Sequence, residues 1–229
     1  MSENGSTPEP TMPSSGRLIF SLGLIAMMSG LLVVTAFQLT APRIAMNKQR
    51  ALEKAIFTVL PEASVRKNYK LDENGLVALP DEAIAEANVF AGYDAGGMLS
   101  GLAMEASARG YQDVVTTLYG YSVESACVIG ITVLQSTETP GLGDKVETDP
   151  DFLANFDCLD ASLNEEGTAV ANPIVTVKNG EKTEGWQIDG ISGATVTSTA
   201  IGDGLRKSTM EMLPLLERYK ESLTPTLNP

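Results

Sequence analysis

Residues 88–135 have the sequence NVFAGYDAGGMLSGLAMEASARGYQDVVTTLYGYSVESACVIGITVLQ, and this stretch decides the fold. Its apolar runs are separated by segments typical of turns, at 94–97, 108–110 and 120–122. Such a pattern predicts an antiparallel meander of strands. The many glycines indicate curved strands or close approach of another backbone.

The segments on either side add short strands and one short helix. Glu73-Asn74-Gly75 predicts the turn of a hairpin. DPDFLANF, residues 149–156, begins with Asp-Pro and predicts a short helix. Residues 174–178 predict a strand that leads through the Asn179-Gly180 turn to another strand at 185–188.

A long helix is predicted from residue 196 to the region of residue 223, with Pro214 placed to kink or end it. The predicted fold class is therefore α+β. It consists of a twisted antiparallel sheet with packed helices, preceded by one N-terminal transmembrane helix.

The transmembrane helix is predicted at residues 18–37, LIFSLGLIAMMSGLLVVTAF, which contain no charged side chain. This length suffices to cross the hydrocarbon core of a bilayer as a helix. The alternative is a cleaved signal peptide, whose apolar region is typically about 7 to 15 residues. We favour an uncleaved anchor, in which Gly23, Ser29 and Gly30 offer a small-residue face to a neighbouring helix.

The chain accordingly divides into four parts. Residues 1–17 are rich in Ser, Pro, Gly and Glu and predict a flexible tail. The transmembrane helix at 18–37 and a membrane-proximal helix within 38–63 follow. Residues 64–229 form the globular domain.

Charge and composition exclude several classes of function. The formal net charge is −13, which argues against a nucleic-acid partner because a phosphate backbone selects basic surfaces. The chain has no histidine, so Ser-His and Cys-His catalytic arrangements are excluded. We expect Cys127 and Cys158 to be buried free thiols, with one disulfide as the alternative on an oxidising face.

Two short motifs carry the functional signal. The first is Asp189-Gly190-Ile191-Ser192-Gly193-Ala194-Thr195, at the junction between a strand and the last helix. A helix N-terminus has unpaired N–H groups and favours an anion such as phosphate. On local chemistry alone, however, Ser and Thr at this point are usually helix caps. The second motif is Glu138-Thr139-Pro140-Gly141-Leu142-Gly143, which alone would be a surface turn.

Together and behind one membrane helix, these motifs resemble the FMN-binding domain of the G subunit of the Rnf electron-transport complex. They are similar also to the C subunit of the sodium-pumping NADH:quinone oxidoreductase, although the chain length favours the Rnf protein. The resemblance implies covalent FMN on Thr195, joined through a phosphoester bond by a separate flavin transferase. It also implies cofactor contacts from the rest of both motifs, at Asp189, Ser192, Gly193, Ala194, Glu138, Thr139, Gly141, Leu142 and Gly143.

The implied function is that of a membrane-anchored electron carrier in a complex that couples ferredoxin–NAD electron transfer to ion translocation. Its partners are the other subunits, the flavin transferase and the membrane; we expect no catalytic residue and no metal. The resemblance implies a single-pass protein of the bacterial inner membrane with a periplasmic domain. The flanking charges favour the opposite side, because one basic residue precedes the span and four follow it closely, at Arg17 and at Arg43, Lys48, Arg50 and Lys54.

Three alternatives to this function stay open. In these the chain would be a C-type subunit of a sodium-pumping NADH:quinone oxidoreductase, a flavin-binding redox regulator, or a structural assembly subunit without flavin. Thr197 is a rival acceptor to Thr195 on chemistry alone.

Overall fold

The structure, a computed structural model, describes residues 14–223. Within this range the helices and strands follow one another as α1 (Ser15–Val59), β1 (Val65–Asp72), β2 (Gly75–Leu79), β3 (Val89–Tyr93), β4 (Leu99–Arg109), β5 (Val114–Ser122), β6 (Cys127–Gln135), α2 (Pro150–Leu153), β7 (Leu159–Asp160), β8 (Val175–Val177), β9 (Gln187–Asp189) and α3 (Thr195–Leu223). Short 3₁₀-helices lie at Asp81–Glu86, Gly143–Glu147 and Ala154–Phe156.

Seven strands form one antiparallel sheet in the order β2-β1-β3-β4-β5-β6-β7. This confirms the predicted α+β class with an antiparallel sheet and helices packed on it. The predicted strands β8 and β9 pair with each other in parallel, outside the main sheet. Because β8 and β9 run parallel, residues 178–186 connect the end of β8 to the start of β9 at the opposite end of the pair. They do not form the turn of a hairpin.

The predicted turns are partly right. The hairpin between β1 and β2 is confirmed, and the Asp72 carboxylate accepts the N–H groups of Asn74 and Gly75 there. The turn at 94–97 is also confirmed. The predicted turn at 108–110 belongs mostly to β4, and the chain reverses at 110–113 instead.

The predicted turn at 120–122 is wrong, because these residues lie inside β5 and the chain reverses at 123–126. Gly120 has a packing role instead. A Cβ atom at this position would collide with the carbonyl oxygen of Val59 at the end of α1. The glycine thus lets the helix end lie directly against the sheet.

Side-chain alternation gives the sheet two buried faces. Val89, Ala91 and Tyr93 of β3 belong to the larger core, which includes Leu205 of α3. Phe90 points to the other face and joins a smaller core built on the end of α1, with Ala55, Ile56, Val59, Leu60, Ile84, Ala103 and Leu118. The sheet is therefore covered on one side by α3 and on the other by residues 55–60.

Helix α1 runs without a break from Ser15 to Val59, with Pro42 inside it. It covers both segments that the sequence predicts as helical, the apolar span at 18–37 and the membrane-proximal helix within 38–63. The predicted tail at 1–17 lies outside the described residues except for its last four, and Ser15, Gly16 and Arg17 already belong to α1. Within residues 14–223, α1 is the one helix long and apolar enough to cross a membrane.

The chain divides into two compact units, Met1–Lys48 and Gln49–Pro229. The apolar stretch at 18–37 belongs to the first unit and is exposed along its length. The sheet, α3 and the last residues of α1 belong to the second unit.

Helix α3 continues nine residues past Pro214. A proline in a helix removes one backbone hydrogen bond. The buried Leu213 and Leu216 on either side of it pack into the larger core, and this burial holds the helix together through the proline.

The two cysteines form a disulfide, Cys127–Cys158, with Cα atoms 5.1 Å apart. The prediction of free thiols is therefore wrong. The pairing of β6 with β7 explains the contact, because Val128 lies opposite Leu159 and brings the neighbouring cysteines together.

Candidate functional site

A cavity of about 480 Å³ lies where the loop after β6 meets the first turn of α3. Its volume falls within the range of about 300 to 1,000 Å³ that is typical of small-molecule sites. The lining residues are Tyr111, Glu138, Thr139, Leu142, Gly143, Gly193, Ala194, Thr195, Val196 and Thr197. The two motifs, about fifty residues apart in sequence, thus form one site.

Seven of the ten predicted site residues line this cavity: Glu138, Thr139, Leu142, Gly143, Gly193, Ala194 and Thr195. Gly141, Asp189 and Ser192 are not among the lining residues. Gly141 shapes the loop, and Ser192 is exposed in the turn before α3. The Asp189 carboxylate accepts the backbone N–H of Gly180 at 2.7 Å and so serves the turn after β8.

The turn before α3 is closed by a hydrogen bond of 3.0 Å from the Ala194 N–H to the Ile191 carbonyl. Gly193 has φ of 85° there. A positive φ at the third position of such a turn favours glycine strongly. This residue therefore lets the chain reverse and start the helix at Thr195.

Thr195 stands at the first position of α3, with an exposed side chain on the cavity wall. Its hydroxyl makes only a long contact of 3.5 Å, to the Ile191 carbonyl. Ser198, by contrast, is fully buried and its hydroxyl bridges the Ile191 N–H and the Ala194 carbonyl. The helix has no acidic residue in its first turn. Its N-terminal N–H groups and dipole therefore favour an anion next to Thr195.

The loop after β6 turns tightly at residues 139–142. The N–H groups of Leu142 and Gly143 both donate to the Thr139 carbonyl, at 3.1 and 3.0 Å. Pro140 and Gly141, with φ of 78° at the glycine, are the residues that such a turn prefers at its centre. The turn presents the half-exposed Leu142 to the cavity.

Glu138 is the buried charge of the site, with 8% of its surface exposed. One carboxylate oxygen accepts the Thr197 hydroxyl at 2.6 Å, and the other accepts the Gln112 N–H at 3.0 Å. Burial raises the pKa of the carboxyl, but the hydrogen bonds from Thr197 and from backbone N–H groups at 111–113 outweigh it and hold the pKa below its ordinary value. Glu138 is therefore ionised at neutral pH.

Sequence reasoning missed the contribution of the turn between β4 and β5. Gln112 binds two neighbouring residues of the loop after β6. Its backbone N–H donates to the Glu138 carboxylate, and its side-chain amide donates to the Thr139 hydroxyl, each at 3.0 Å. Tyr111 lines the cavity and is largely exposed. In the sequence this turn is marked only by Gly110, and the structure gives the reason for the glycine: a Cβ atom there would lie 2.6 Å from the Glu138 carboxylate.

Asn155 was missed as well. Its buried side-chain carbonyl accepts the Asp189 N–H at 2.9 Å and the Lys182 ammonium at 3.0 Å. Its amide donates to the carbonyls of Phe152 and Asp189. Asn155 thus fixes the end of β9, from which the turn at 191–194 and Thr195 follow directly.

The cavity combines a polar end and an apolar rim. The hydroxyl of Thr195 and the start of α3 supply donors suited to a phosphate. Leu142, Val196 and Tyr111, each about half exposed or more, supply apolar surface suited to a flat ring. Within residues 14–223, no group of three or more potential metal ligands is present. The donors at the polar end and the apolar rim together fit the phosphate and the ring of a flavin mononucleotide.

Comparison with known proteins agrees with this chemistry. The FMN-binding domain family matches residues 110–209, a range that contains every residue lining the cavity.

The chain is similar to proteins named as the G subunit of the ion-translocating oxidoreductase complex. The relative from Stutzerimonas stutzeri is 30% identical over 192 residues, which cover 82% of this chain and 76% of the relative. The relative from Cereibacter sphaeroides is 28% identical over 243 residues, covering 100% of this chain and 99% of the relative. The relative from Methanosarcina acetivorans is 26% identical and covers 84% of this chain and 91% of its own length.

Solved structures share the fold at lower identity. The crystal structure of Shewanella oneidensis NqrC superposes with a TM-score of 0.57 at 18% identity, covering 78% of this chain and 98% of that one. The C subunit of the Na⁺-translocating NADH-quinone reductase from Parabacteroides distasonis gives a TM-score of 0.57 at 19% identity, covering 80% and 98%.

Proposed function

This chain belongs to the G-subunit family of Rnf-type ion-translocating oxidoreductase complexes, and from that premise we propose that it carries FMN as a phosphoester on Thr195. The flavin passes electrons within a membrane complex that couples ferredoxin–NAD electron transfer to ion translocation. One observation supports the proposal most: the exposed Thr195 hydroxyl stands on the cavity wall at the first position of α3.

The attachment step requires an activated flavin phosphate. The Thr195 oxygen forms a bond to the phosphorus of a flavin nucleotide carrying a pyrophosphate, and the bond from that phosphorus to the leaving nucleotide phosphate breaks. The hydroxyl proton passes to a base. We assign that base to the separate flavin transferase, because the Thr195 hydroxyl donates to no carboxylate of its own chain and contacts only the Ile191 carbonyl, at 3.5 Å.

The N-terminal N–H groups of α3 would hold the phosphate of a flavin attached at Thr195 and stabilise its negative charge. Leu142, Val196 and Tyr111 provide apolar contact for the ring. The flavin supplies the redox chemistry, and the protein supplies position and electrostatics. Covalent attachment prevents dissociation of the carrier between electron transfers.

The apolar stretch of α1 anchors the protein in the membrane as a single span. We place the flavin domain on the periplasmic side of the bacterial inner membrane. The Cys127–Cys158 disulfide supports this orientation, because disulfides persist in oxidising compartments. The basic residues after the span favour the opposite side, but neighbouring helices in an assembled complex can override a bias of a few charges.

The test is denaturing gel electrophoresis under ultraviolet light of the chain coexpressed with a flavin transferase. Thr195→Val is compared with Thr199→Val, the same substitution at a position of α3 that does not line the cavity. We expect fluorescent bands for the wild-type and Thr199→Val chains and a dark band for Thr195→Val. A dark wild-type band would favour a structural protein without flavin, and a fluorescent Thr195→Val band would place the attachment elsewhere.

A further inference from the structure

We propose that Glu138 is a positioning residue that leaves Thr195, rather than Thr197, available to the flavin, and that its fixed charge lowers the reduction potential of the flavin. This inference rests on the proposed function, because it concerns the same cavity. It assigns Glu138 a role different from direct contact with the flavin phosphate.

The two threonines of the first helical turn differ in access. Thr197 is 2% exposed and donates its proton to Glu138 at 2.6 Å. Thr195 is exposed, and its hydroxyl has only the 3.5 Å contact to the Ile191 carbonyl. Both line the cavity, so proximity alone does not distinguish them. Access does: at 2% exposure the Thr197 oxygen has little room for an incoming phosphorus, and the hydrogen bond to Glu138 holds the side chain in that buried position.

Glu138 joins three parts of the chain at once. It belongs to the loop after β6, and its carboxylate binds α3 through Thr197 and the turn between β4 and β5 through Gln112. Neighbouring atoms leave little space around it, since a Cβ atom at Gly143 would lie 2.6 Å from the Glu138 Cβ and 2.9 Å from its carboxylate. Both carboxylate oxygens thus accept hydrogen bonds from the protein. The negative charge of the carboxylate repels an anionic phosphate, so we do not expect the phosphate to bind next to Glu138.

The same geometry places a negative charge in the wall of the flavin cavity. Hydrogen bonds from Thr197 and from backbone N–H groups keep the carboxylate ionised. In a partly buried site such a charge acts more strongly than in water. An electron taken up by the flavin without a proton adds a second negative charge nearby. The carboxylate therefore disfavours reduction.

The charge is tested on flavin-loaded full-length chain by anaerobic titration with dithionite, which is oxidised as the flavin is reduced. Glu138→Gln keeps the size of the side chain and removes its charge. Glu124→Gln, in the exposed turn between β5 and β6, makes the same charge change outside the cavity lining. We expect a more positive midpoint potential for Glu138→Gln and no shift for Glu124→Gln. An unshifted midpoint in loaded Glu138→Gln would overturn this role.

The positioning role is tested by flavin content per chain and by mass spectrometry of the flavin peptide. Thr197→Val removes the donor to Glu138, Thr197→Ser keeps it, and Thr199→Val is the matched control. We expect all three Thr197 and Thr199 variants to load like wild type, with the flavin on Thr195, and part of the flavin to move to Thr197 in Glu138→Ala, where the Thr197 hydroxyl loses its acceptor. Flavin on Thr197 in any variant that keeps Glu138, or flavin on Thr195 alone in Glu138→Ala, would overturn the proposal.

Two further outcomes separate this inference from the proposed function. A dark wild-type chain removes the function itself and this inference with it. A loaded wild-type chain and a dark Thr195→Val chain keep the function, and the Glu138 and Thr197 variants then decide the inference alone. A Glu138→Gln chain with a native circular dichroism spectrum but no flavin would overturn the inference, because Glu138 would then be required for attachment itself and not for the choice between the two threonines.

Discussion

The hydroxyl of Thr197 donates a 2.6 Å hydrogen bond to the carboxylate of Glu138, a residue 59 positions earlier in the chain. This bond connects the loop after β6 to the first turn of α3. Since Glu138 also binds the Gln112 N–H, three separate segments depend on one buried charge. Loss of that charge is expected to disturb the whole site.

The charge of Glu138 makes stability depend on pH in a predictable direction. Because its pKa is lowered in the folded chain, the unfolded chain binds more protons in acid. The stabilisation is therefore present above the ordinary carboxyl pKa of 4.5 and is lost as pH falls below it towards the folded value. We expect the stability difference between wild type and Glu138→Gln to be constant near neutral pH and to shrink below pH 4.5.

Urea unfolding followed by the fluorescence of Trp186, the one tryptophan of the chain, measures this difference. Glu124→Gln is the control for a general change of charge. A stability difference that stays constant down to strongly acidic pH would contradict an ionised, hydrogen-bonded Glu138.

The Cys127–Cys158 disulfide is expected to stabilise the domain substantially. The cysteines are 31 residues apart, and a loop of that length corresponds to about 3 to 4 kcal/mol in the chain-entropy treatment. The double variant Cys127→Ala/Cys158→Ala should lose stability by that amount in urea unfolding. A reductant should lower the free energy of unfolding of the wild type to that of the double variant and should not change that of the double variant. Indifference of the wild type to reductant would show that the bond does not form.

Asn155 is expected to matter for flavin loading although it does not line the cavity. Asn155→Ala leaves the Asp189 N–H without its partner, and an unsatisfied buried group costs about 1 to 3 kcal/mol. The end of β9 should loosen, and flavin per chain should fall. Asn164→Ala, which removes an amide from an exposed loop, should load normally. Equal flavin loading of the two variants would show that the position of β9 does not affect flavin attachment.

Much of the fold could be predicted because local patterns determine it. The hairpin at Asn74 and the meander of strands both follow from turn residues between apolar runs. The failures have long-range causes. Gly120 resembles a turn residue, yet it is a strand residue that makes room for the Val59 carbonyl, and this contact joins residues far apart in sequence.

The same distinction applies to the site. Thr195, Leu142 and Gly143 belong to motifs, and the structure brings them to one cavity. Gln112 and Asn155 lie in no motif, since each acts through hydrogen bonds to distant segments. The disulfide was misjudged for the same reason, because only the pairing of β6 and β7 brings its cysteines together.

Gly143 provides the sharpest steric test of the site. In Gly143→Ala the added Cβ would lie 2.6 Å from the Glu138 Cβ and 3.0 Å from the Thr197 hydroxyl, so the pair must separate. Overpacking of this kind costs about 1 to 3 kcal/mol. We expect lower stability and strongly reduced flavin fluorescence. Gly185→Ala is the matched control, because its Cβ would meet only Asp160, at an ordinary 3.6 Å. If both variants load flavin equally, the close approach of Glu138 to α3 is not required for attachment.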